Sequence, residues 1–204
     1  LVKLVTYTNN RISALNKIIR NFIYDNPNEY EEREILTGYD TCICGRSSIE
    51  NSRDYMVLEC KPIQINCLDG YELLLDNGYF KQYVKILSRN NPEWKFQSLI
   101  AQLEGLRQQA VKTKSRKDWA LFYALDESFL TPIDLIHDGR VIKRKSLDYG
   151  YCISAHKSQS SEYSIVMIDM ENIWRCQNKE ELRQIQYVAC SRTKGDLIIY
   201  QKDD

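Results

Sequence analysis

The chain has 204 residues, of which 43% are hydrophobic and 27% charged, which is enough for one sizeable core or for one domain carrying a smaller inserted one. Lysine plus arginine and aspartate plus glutamate number 28 each, so the composition lacks the global basic character of many nucleic-acid-binding domains. No apolar run approaches the ~20 residues of a membrane span, and no signal peptide is visible.

The amino-terminal residues predict a strand, a turn and a helix. Residues 2–7 are a β-branched run typical of a buried strand. Thr8, Asn9 and Asn10 follow as a helix cap, and the apolar positions then recur at spacings of three and four. These positions are Ile12, Leu15, Ile18, Ile19 and Phe22. We expect Arg20 to be a solvated charge near the end of this helix, which stops before Pro27.

Residues 28–91 have the character of a small β domain. Short β segments are expected at 34–37, 40–44, 55–67, 71–75 and 80–86, and Asn77-Gly78 predicts a hairpin between the last two. Strands at this spacing favour a small barrel or sandwich of roughly 60 residues.

Helices are predicted after this β-rich part. An apolar stripe at 96–110 indicates one helix, and residues 119–125 indicate a second, more buried one. Basic stretches at 112–117 and 143–145 could contact phosphate, or they are solvated charge on helix connections.

The strand pattern resumes near the carboxyl end. We expect strands at 150–155, 165–169 and 196–200 and a helix at 180–189. The two ends of the chain therefore form one α/β domain that is interrupted by an insertion.

The seven cysteines do not form a recognisable framework. Their number is odd, and Cys42 and Cys44 have the spacing CxC, which differs from the CxxC of common zinc sites. We expect free thiols, mostly buried, and no metal site.

Two short segments carry most of the chemical information. Residues 154–163 read S-A-H-K-S-Q-S-S-E-Y and follow an apolar strand, at the kind of strand end where open α/β folds build their sites. Ser154 and His156 lie two residues apart, so on a strand end they would project to the same side. Residues 187–192 read Y-V-A-C-S-R and end a helix with Arg192, whose planar guanidinium suits a phosphate.

Together with residues 5–20 and 117–129, these segments resemble four ordered motifs of the superfamily-one helicases of the RecD/Dda type. Residues 5–20 are similar to motif IV, 117–129 to the helix before motif V, 154–163 to motif V and 186–194 to motif VI. The resemblance implies an α/β fold: a RecA-like (P-loop NTPase-type) parallel-sheet domain interrupted by a small SH3-like β-barrel plus helices. Residues 1–27 and 146–204 would form the second RecA-like domain, 28–91 the SH3-like insertion and 92–145 its helical part.

The resemblance also implies roles for individual residues. Arg192 would be the catalytic arginine finger, which stabilises charge on the transferring γ-phosphoryl group. The expected nucleotide contacts are Gln159, Ser160, Glu162 and Arg192, and the expected nucleic-acid contacts are Thr8, Asn9, Ser154, His156 and Lys157. Each of three residues also has a purely structural alternative: Arg192 as a helix-terminal charge, His156 as a structural histidine and Thr8 as a helix cap. Ser160 replaces the glycine of the family pattern, which puts close nucleotide contact at that position in doubt.

The sequence has no GxxxxGK[ST] phosphate loop and no recognisable magnesium-binding acidic pair. We therefore expect the chain alone to be inactive, with ATP and Mg²⁺ held jointly with an N-terminal RecA-like domain of the same polypeptide. That the chain begins at Leu1 without methionine, directly in a strand, fits this expectation. The resemblance implies single-stranded DNA as partner, no membrane, 5′→3′ movement and the cytosol of a bacterial or phage-infected cell.

Three alternatives remain open. The chain could be an ATPase-dead nucleic-acid- or protein-binding module derived from a helicase domain, which Ser160 and the neutral charge favour. It could belong to a UvrD-like 3′→5′ branch, although H-K-S-Q at 156–159 instead of HxxKGLE argues against that. It could also be an unrelated α/β domain with chance motifs.

Overall fold

A computed structural model describes residues 2–159 and 161–201. The chain folds into two compact units: residues 1–28 together with 149–204, and residues 29–148. In chain order the elements are β1 (Val2–Thr6), α1 (Asn9–Ile23), β2 (Ile35–Gly38), β3 (Cys42–Cys44), β4 (Ser47–Ile49), β5 (Asp54–Ile65), β6 (Leu68–Asp76), β7 (Lys81–Leu87), α2 (Glu93–Thr113), α3 (Arg116–Asp126), β8 (Leu135–His137), β9 (Arg140–Lys143), β10 (Leu147–Tyr149), β11 (Cys152–Ser154), α4 (Ala155–Ser158), β12 (Tyr163–Asp169), α5 (Met170–Ile173), α6 (Lys179–Cys190) and β13 (Thr193–Tyr200).

The first unit is built on a parallel sheet with the strand order β11-β1-β12-β13. Val5 pairs with Ile153 on one side and with Ile168 on the other, so β1 lies between two strands from the far end of the chain. The prediction that both chain ends contribute to one α/β sheet is therefore confirmed. Its buried core combines side chains of the sheet with Ile185 and Ala189 of α6.

Helix α1 is tied to β11 by a buried side-chain amide. Asn16 donates from Nδ2 to the carbonyl oxygens of Tyr149 (3.0 Å) and Cys152 (3.1 Å), and its Oδ1 accepts from the backbone N–H of Cys152 at 2.7 Å. Because β11 lies at the side of the sheet, its free backbone groups need partners. A polar residue inside the expected apolar stripe supplies them.

Arg20 differs from its prediction. It is 6% exposed, not solvated, because its guanidinium donates to the carbonyl of Asn28 at 2.8 Å and stacks 4.0 Å from the centre of the Tyr149 ring. Ile18 and Phe22, which were expected on the buried face, are 61% and 91% exposed. The buried face of α1 therefore consists of Ile12, Asn16 and Arg20 and not of the predicted apolar stripe.

The second unit centres on a five-stranded sheet with the order β10-β2-β5-β6-β7. Strands β5, β6 and β7 form an antiparallel meander, and its Asn77-Gly78 turn is confirmed. Gly78 has a φ of +85°, a conformation that glycine adopts readily, and Asn77 Oδ1 accepts from the N–H groups of Tyr79 and Phe80. The SH3-like assignment stays a prediction.

Helix α2 packs on this unit through the predicted stripe. Phe96, Leu99, Ile100 and Leu103 are each at most 4% exposed and form a core with residues of β5, β6 and β7. Helix α3 was expected to be the more buried of the two, but it has no buried residue. The range expected to be helical also contains the β8–β9 hairpin.

The basic stretch at 143–145 is held by carboxylates of its own unit. Lys143 Nζ lies 2.9 Å from an oxygen of Asp126, and Lys145 Nζ lies 2.8 Å from an oxygen of Asp148. Lys145 also lies 3.7 Å from the centre of the Tyr39 ring. These contacts weaken the interpretation of this stretch as a phosphate-binding track.

All seven cysteines are free thiols, as predicted. Burial raises the pKa of Cys152 to about 12 and that of Cys60 to about 11, so both thiols stay protonated at neutral pH and are poor nucleophiles. Within residues 2–159 and 161–201, no helix is both long and apolar enough to cross a bilayer.

The Asn16 bridge predicts a measurable stability difference. We expect Asn16→Ala to lower the free energy of unfolding by about 2–4 kcal/mol, because three backbone groups lose their partner. Asn21→Ala, at an exposed position of the same helix, is the matched control and should change the free energy by no more than about 0.5 kcal/mol. Urea unfolding followed by circular dichroism measures both, and equal effects would contradict the bridge.

Candidate functional site

The predicted site residues lie at the two opposite edges of the parallel sheet. At the carboxyl edge, where β1, β11 and β12 end, lie Thr8, Asn9, Ser154, His156 and Lys157. At the amino edge, where β12 and β13 begin, lie Glu162 and Arg192. Gln159 lies between the edges: its carbonyl accepts from Arg192, and it lines a small pocket together with His156. The seven residues of β12 place the two edges about 20 Å apart. Ser160 lies outside the described residues.

Arg192 follows the end of α6 and immediately precedes β13. Its NH1 donates to the carbonyl oxygen of Gln159 at 2.7 Å, and its NH2 donates to Ser191 Oγ at 2.8 Å. Its Nε donates to the carbonyl of Val188 at 3.2 Å, and its backbone carbonyl accepts from Tyr163 at 2.9 Å. The guanidinium is thus half-exposed but held against its own helix end, which also agrees with the helix-terminal alternative.

Glu162 lies at the same edge as Arg192. Its carboxylate is 2.7 Å from Lys194 Nζ, and Lys194, with a smaller effect of Arg192, lowers the pKa of the Glu162 carboxyl. The amino edge therefore presents two cations around one ionised carboxylate. This is a polar surface that can exchange its internal partners for a charged ligand.

Ser154 and His156 do not project together from one strand, as the sequence suggested. The strand β11 ends at Ser154, whose Oγ accepts from the N–H of Lys157 at 3.2 Å and caps the single turn α4. His156 therefore belongs to a helical turn instead of a strand. A serine that satisfies a helix N-terminus is a common reason for a strand to stop, and the sequence motif contains that signal.

His156 lies in a small polar cluster at the carboxyl edge. Its Nε2 is 3.8 Å from Oε1 of Glu181, and its ring centre is 6.4 Å from that of Tyr7. Tyr7 donates its hydroxyl to the same oxygen of Glu181 at 3.4 Å. Cys176, followed by burial and Glu181, raises the pKa of Tyr7, so the phenol stays a neutral donor. His156 is 60% exposed at its side chain and can reach a ligand.

The loop after β1 depends on a residue that the sequence did not reveal. Asn172 is 4% exposed, and its Oδ1 accepts from Thr6 Oγ1 (2.9 Å), Tyr7 N (3.1 Å), Thr8 N (2.9 Å) and Thr8 Oγ1 (3.2 Å). The Thr8 side chain is therefore turned to Asn172 and makes no helix-cap hydrogen bond. A lone asparagine after an apolar strand gives no signal of this role.

A polar crevice of about 310 Å³ opens beside this loop. It is lined by Thr8, Asn10, Arg11, Ala14, Asp169, Glu171, Asn172 and Arg175. Arg11 donates from Nε to Asp169 Oδ2 at 2.6 Å, and Asp169 raises the pKa of the Arg11 guanidinium. The crevice thus adds two arginines to the carboxyl edge, and neither was predicted as a site residue.

The amino edge carries the residues that the motifs predict as nucleotide contacts. Arg192 and Gln159 suit the phosphate side, but the sequence contains no phosphate loop to hold the rest. Among the residues that the structure describes, no group of three His, Cys, Asp or Glu side chains is arranged to hold a metal ion.

Comparison with known proteins finds similarity to helicases. Residues 149–200 match the family described as UvrD-like helicase C-terminal domain. A stretch of 64 residues is 32% identical to an uncharacterised protein of Acanthamoeba polyphaga mimivirus, covering 31% of this chain and 13% of that protein. The crystal structure of Pif1 helicase from Candida albicans aligns with 98% of this chain and 45% of its own, with a TM-score of 0.49 and 13% identity.

The chain spans less than half of the length of each of these two relatives. The matched family range contains β11, α4, β12, α6 and β13, and with them Ser154, His156 and Arg192. The family description does not separate the RecD/Dda type from other branches, so that finer assignment stays a prediction. Residues 149–200 are thus similar to a helicase C-terminal domain, the kind of domain that their motifs predicted.

Proposed function

We propose that this chain is the C-terminal motor half of an ATP-dependent DNA helicase. The observation that carries the proposal is the separation of the two predicted residue sets onto opposite edges of one parallel sheet. Residues expected to contact DNA lie at the carboxyl edge, and Glu162 and Arg192, expected to contact nucleotide, lie at the amino edge. Gln159 lies between the two sets, next to both His156 and Arg192. A translocating motor needs both contacts on one rigid body.

Arg192 is proposed as the arginine finger. A half-exposed guanidinium that now donates to a backbone carbonyl can exchange that acceptor for a γ-phosphoryl oxygen, which as a charged acceptor binds it more strongly. Gln159 and Glu162 would contact the phosphate or ribose next to it. Magnesium and the remaining phosphate contacts would come from an N-terminal RecA-like domain of the same polypeptide.

The carboxyl edge is proposed as part of the track for single-stranded DNA. Thr8, Asn9 and Ser154 offer hydroxyl, amide or backbone groups, and His156 and Lys157 offer donors that suit phosphate oxygens. Movement in the 5′→3′ direction follows from the RecD/Dda resemblance alone.

A second candidate is a nucleic-acid- or protein-binding module that has lost ATPase function. Two observations favour it: Ser160 stands where the family pattern has glycine, and the Arg192 guanidinium already donates to Val188 and Ser191 at its helix end and to the carbonyl of Gln159. Such a module would bind single strands with a steep salt dependence but without response to nucleotide.

Hydrolysis measurements on the whole gene product distinguish these candidates. We expect Arg192→Ala to reduce DNA-stimulated ATP hydrolysis about a thousandfold or more, because an arginine finger contributes a factor of that order. Single-strand affinity without nucleotide should change less than twofold, and Arg183→Ala, at an exposed position of α6, should change neither. The 204-residue chain alone should not hydrolyse ATP. Unchanged hydrolysis in Arg192→Ala would refute the finger.

The carboxyl edge can be tested separately in the 204-residue chain. We expect Lys157→Ala to weaken binding of an oligo-dT strand and to lower the slope of log affinity against log salt by about 0.7, the loss of one phosphate contact. Lys194→Ala, at the amino edge, is the matched control and should leave the slope unchanged. A larger effect of Lys194→Ala would place the DNA on the wrong edge. Fluorescence anisotropy over a salt series measures both.

A further inference from the structure

The polar crevice lies where the connections of the sheet change direction. Strands β1 and β12 are neighbours at the centre of the sheet. The chain continues from β1 through α1 and the inserted second unit to β11 on one side, whereas β12 connects through α5 and α6 to β13 on the other. The loops after the two strands therefore diverge and leave a gap between them. Open α/β sheets bind their ligands at such switch points.

The first arginine of the crevice is held in place by a buried carboxylate. Asp169 is 2% exposed, accepts from Arg11 Nε at 2.6 Å and also accepts from the N–H of Asn172 at 3.3 Å. Arg11 remains 40% exposed at its side chain, and a guanidinium has four N–H groups besides Nε. A fixed guanidinium loses little side-chain entropy when it binds an anion.

The second arginine is available for a ligand. Arg175 is exposed on the turn after α5 and lines the same crevice. Within the described part of the chain, its guanidinium makes no hydrogen bond or ion pair. Thr8 and Asn10 complete the wall, and side chains of these types commonly contact phosphate oxygens.

One charge opposes an anion in this crevice. Glu171 also lines it, so the two arginines and the two carboxylates sum to zero formal charge. Asp169 is buried and paired with Arg11, and Glu171 is the more exposed of the two carboxylates. The site is therefore built for weak, reversible anion binding, which suits a contact that is made and broken repeatedly.

We propose that this crevice binds a phosphate group of the single-strand backbone, with Arg11 and Arg175 as its donors. The inference rests on the proposed nucleic-acid partner and extends the track beyond the residues expected from the motifs. Binding would be independent of sequence, because the donors reach phosphate oxygens and not base edges.

Four variants of the 204-residue chain, one of them a control, test the proposal by oligo-dT binding over a salt series. Arg11→Ala and Arg175→Ala should each weaken binding about three- to tenfold and lower the salt slope by about 0.7, as expected for one lost phosphate contact on a single strand. Arg183→Ala is the matched control and should behave as the unaltered chain. Glu171→Gln should strengthen binding about threefold, a gain that misfolding cannot produce.

The outcomes separate this proposal from the proposed function. If the unaltered chain binds oligo-dT and all four variants bind equally well, the crevice does not hold the strand, although the nucleic-acid partner stands. If the unaltered chain does not bind oligo-dT, both fail. Inorganic phosphate is the second probe: if it perturbs the NMR signals of Arg11 and Arg175 while oligo-dT does not, the crevice serves a free phosphate compound instead of a strand.

Discussion

The parallel pairing of β1 with β11 and β12 is the constraint on which the rest of the structure depends. It joins two parts of the chain that the whole second unit separates in sequence. Because all four strands of the sheet run in the same direction, every loop after a strand falls at one edge and every loop before a strand at the other. This geometry separates Glu162 and Arg192 from the candidate residues at the carboxyl edge, and Gln159 lies between them.

Two buried asparagines stabilise that arrangement at its weakest points. Asn16 supplies partners to the backbone around β11, which has a neighbouring strand on one side only. The amide oxygen of Asn172 accepts hydrogen bonds from three consecutive residues at the end of β1, namely Thr6, Tyr7 and Thr8. Leaving a buried donor without a partner costs about 1–3 kcal/mol, so these hydrogen bonds hold the backbone of both segments in place. The carboxyl edge is consequently preorganised for a ligand.

The proposed motor function needs a connection between the two edges, and two short elements provide one. The turn α4 begins at the residues expected to contact DNA, and the chain then reaches Gln159, whose carbonyl holds Arg192. Helix α6 carries Glu181, next to His156, near one end, and Arg192 follows its other end. A shift of Arg192 away from Gln159 would therefore act on the segment that also positions His156.

Much of the first unit could be predicted from its sequence. The strands at 2–7, 150–155 and 165–169 and the helix at 180–189 were identified by apolar runs and periodicity, because burial in a parallel sheet requires such runs. The motifs were recognisable because residue type and order carried the signal. Periodicity did not reveal Asn16, Arg20 or Asn172, whose roles depend on backbone groups distant in sequence.

Two local predictions were wrong: the extent of the strand around Ser154 and the burial of helix α3. Ser154 ends a strand by capping a helix, and an apolar run does not show where this happens. Helix α3 has an aromatic-rich sequence that suggested burial, but its aromatic rings contact one another. The ring centre of Trp119 lies 5.8 Å from that of Tyr123 and 5.9 Å from that of Phe122. The apolar composition of α3 therefore indicated that its side chains make contacts, but not which residues they contact.

The most direct test of the two-edge account is a structure of the whole gene product bound to oligo-dT and a non-hydrolysable ATP analogue. The account predicts the strand along Thr8 and His156 at the carboxyl edge, and the γ-phosphate within hydrogen-bond distance of Arg192 at the amino edge. A nucleotide bound away from Arg192, or a strand lying across the amino edge, would contradict it.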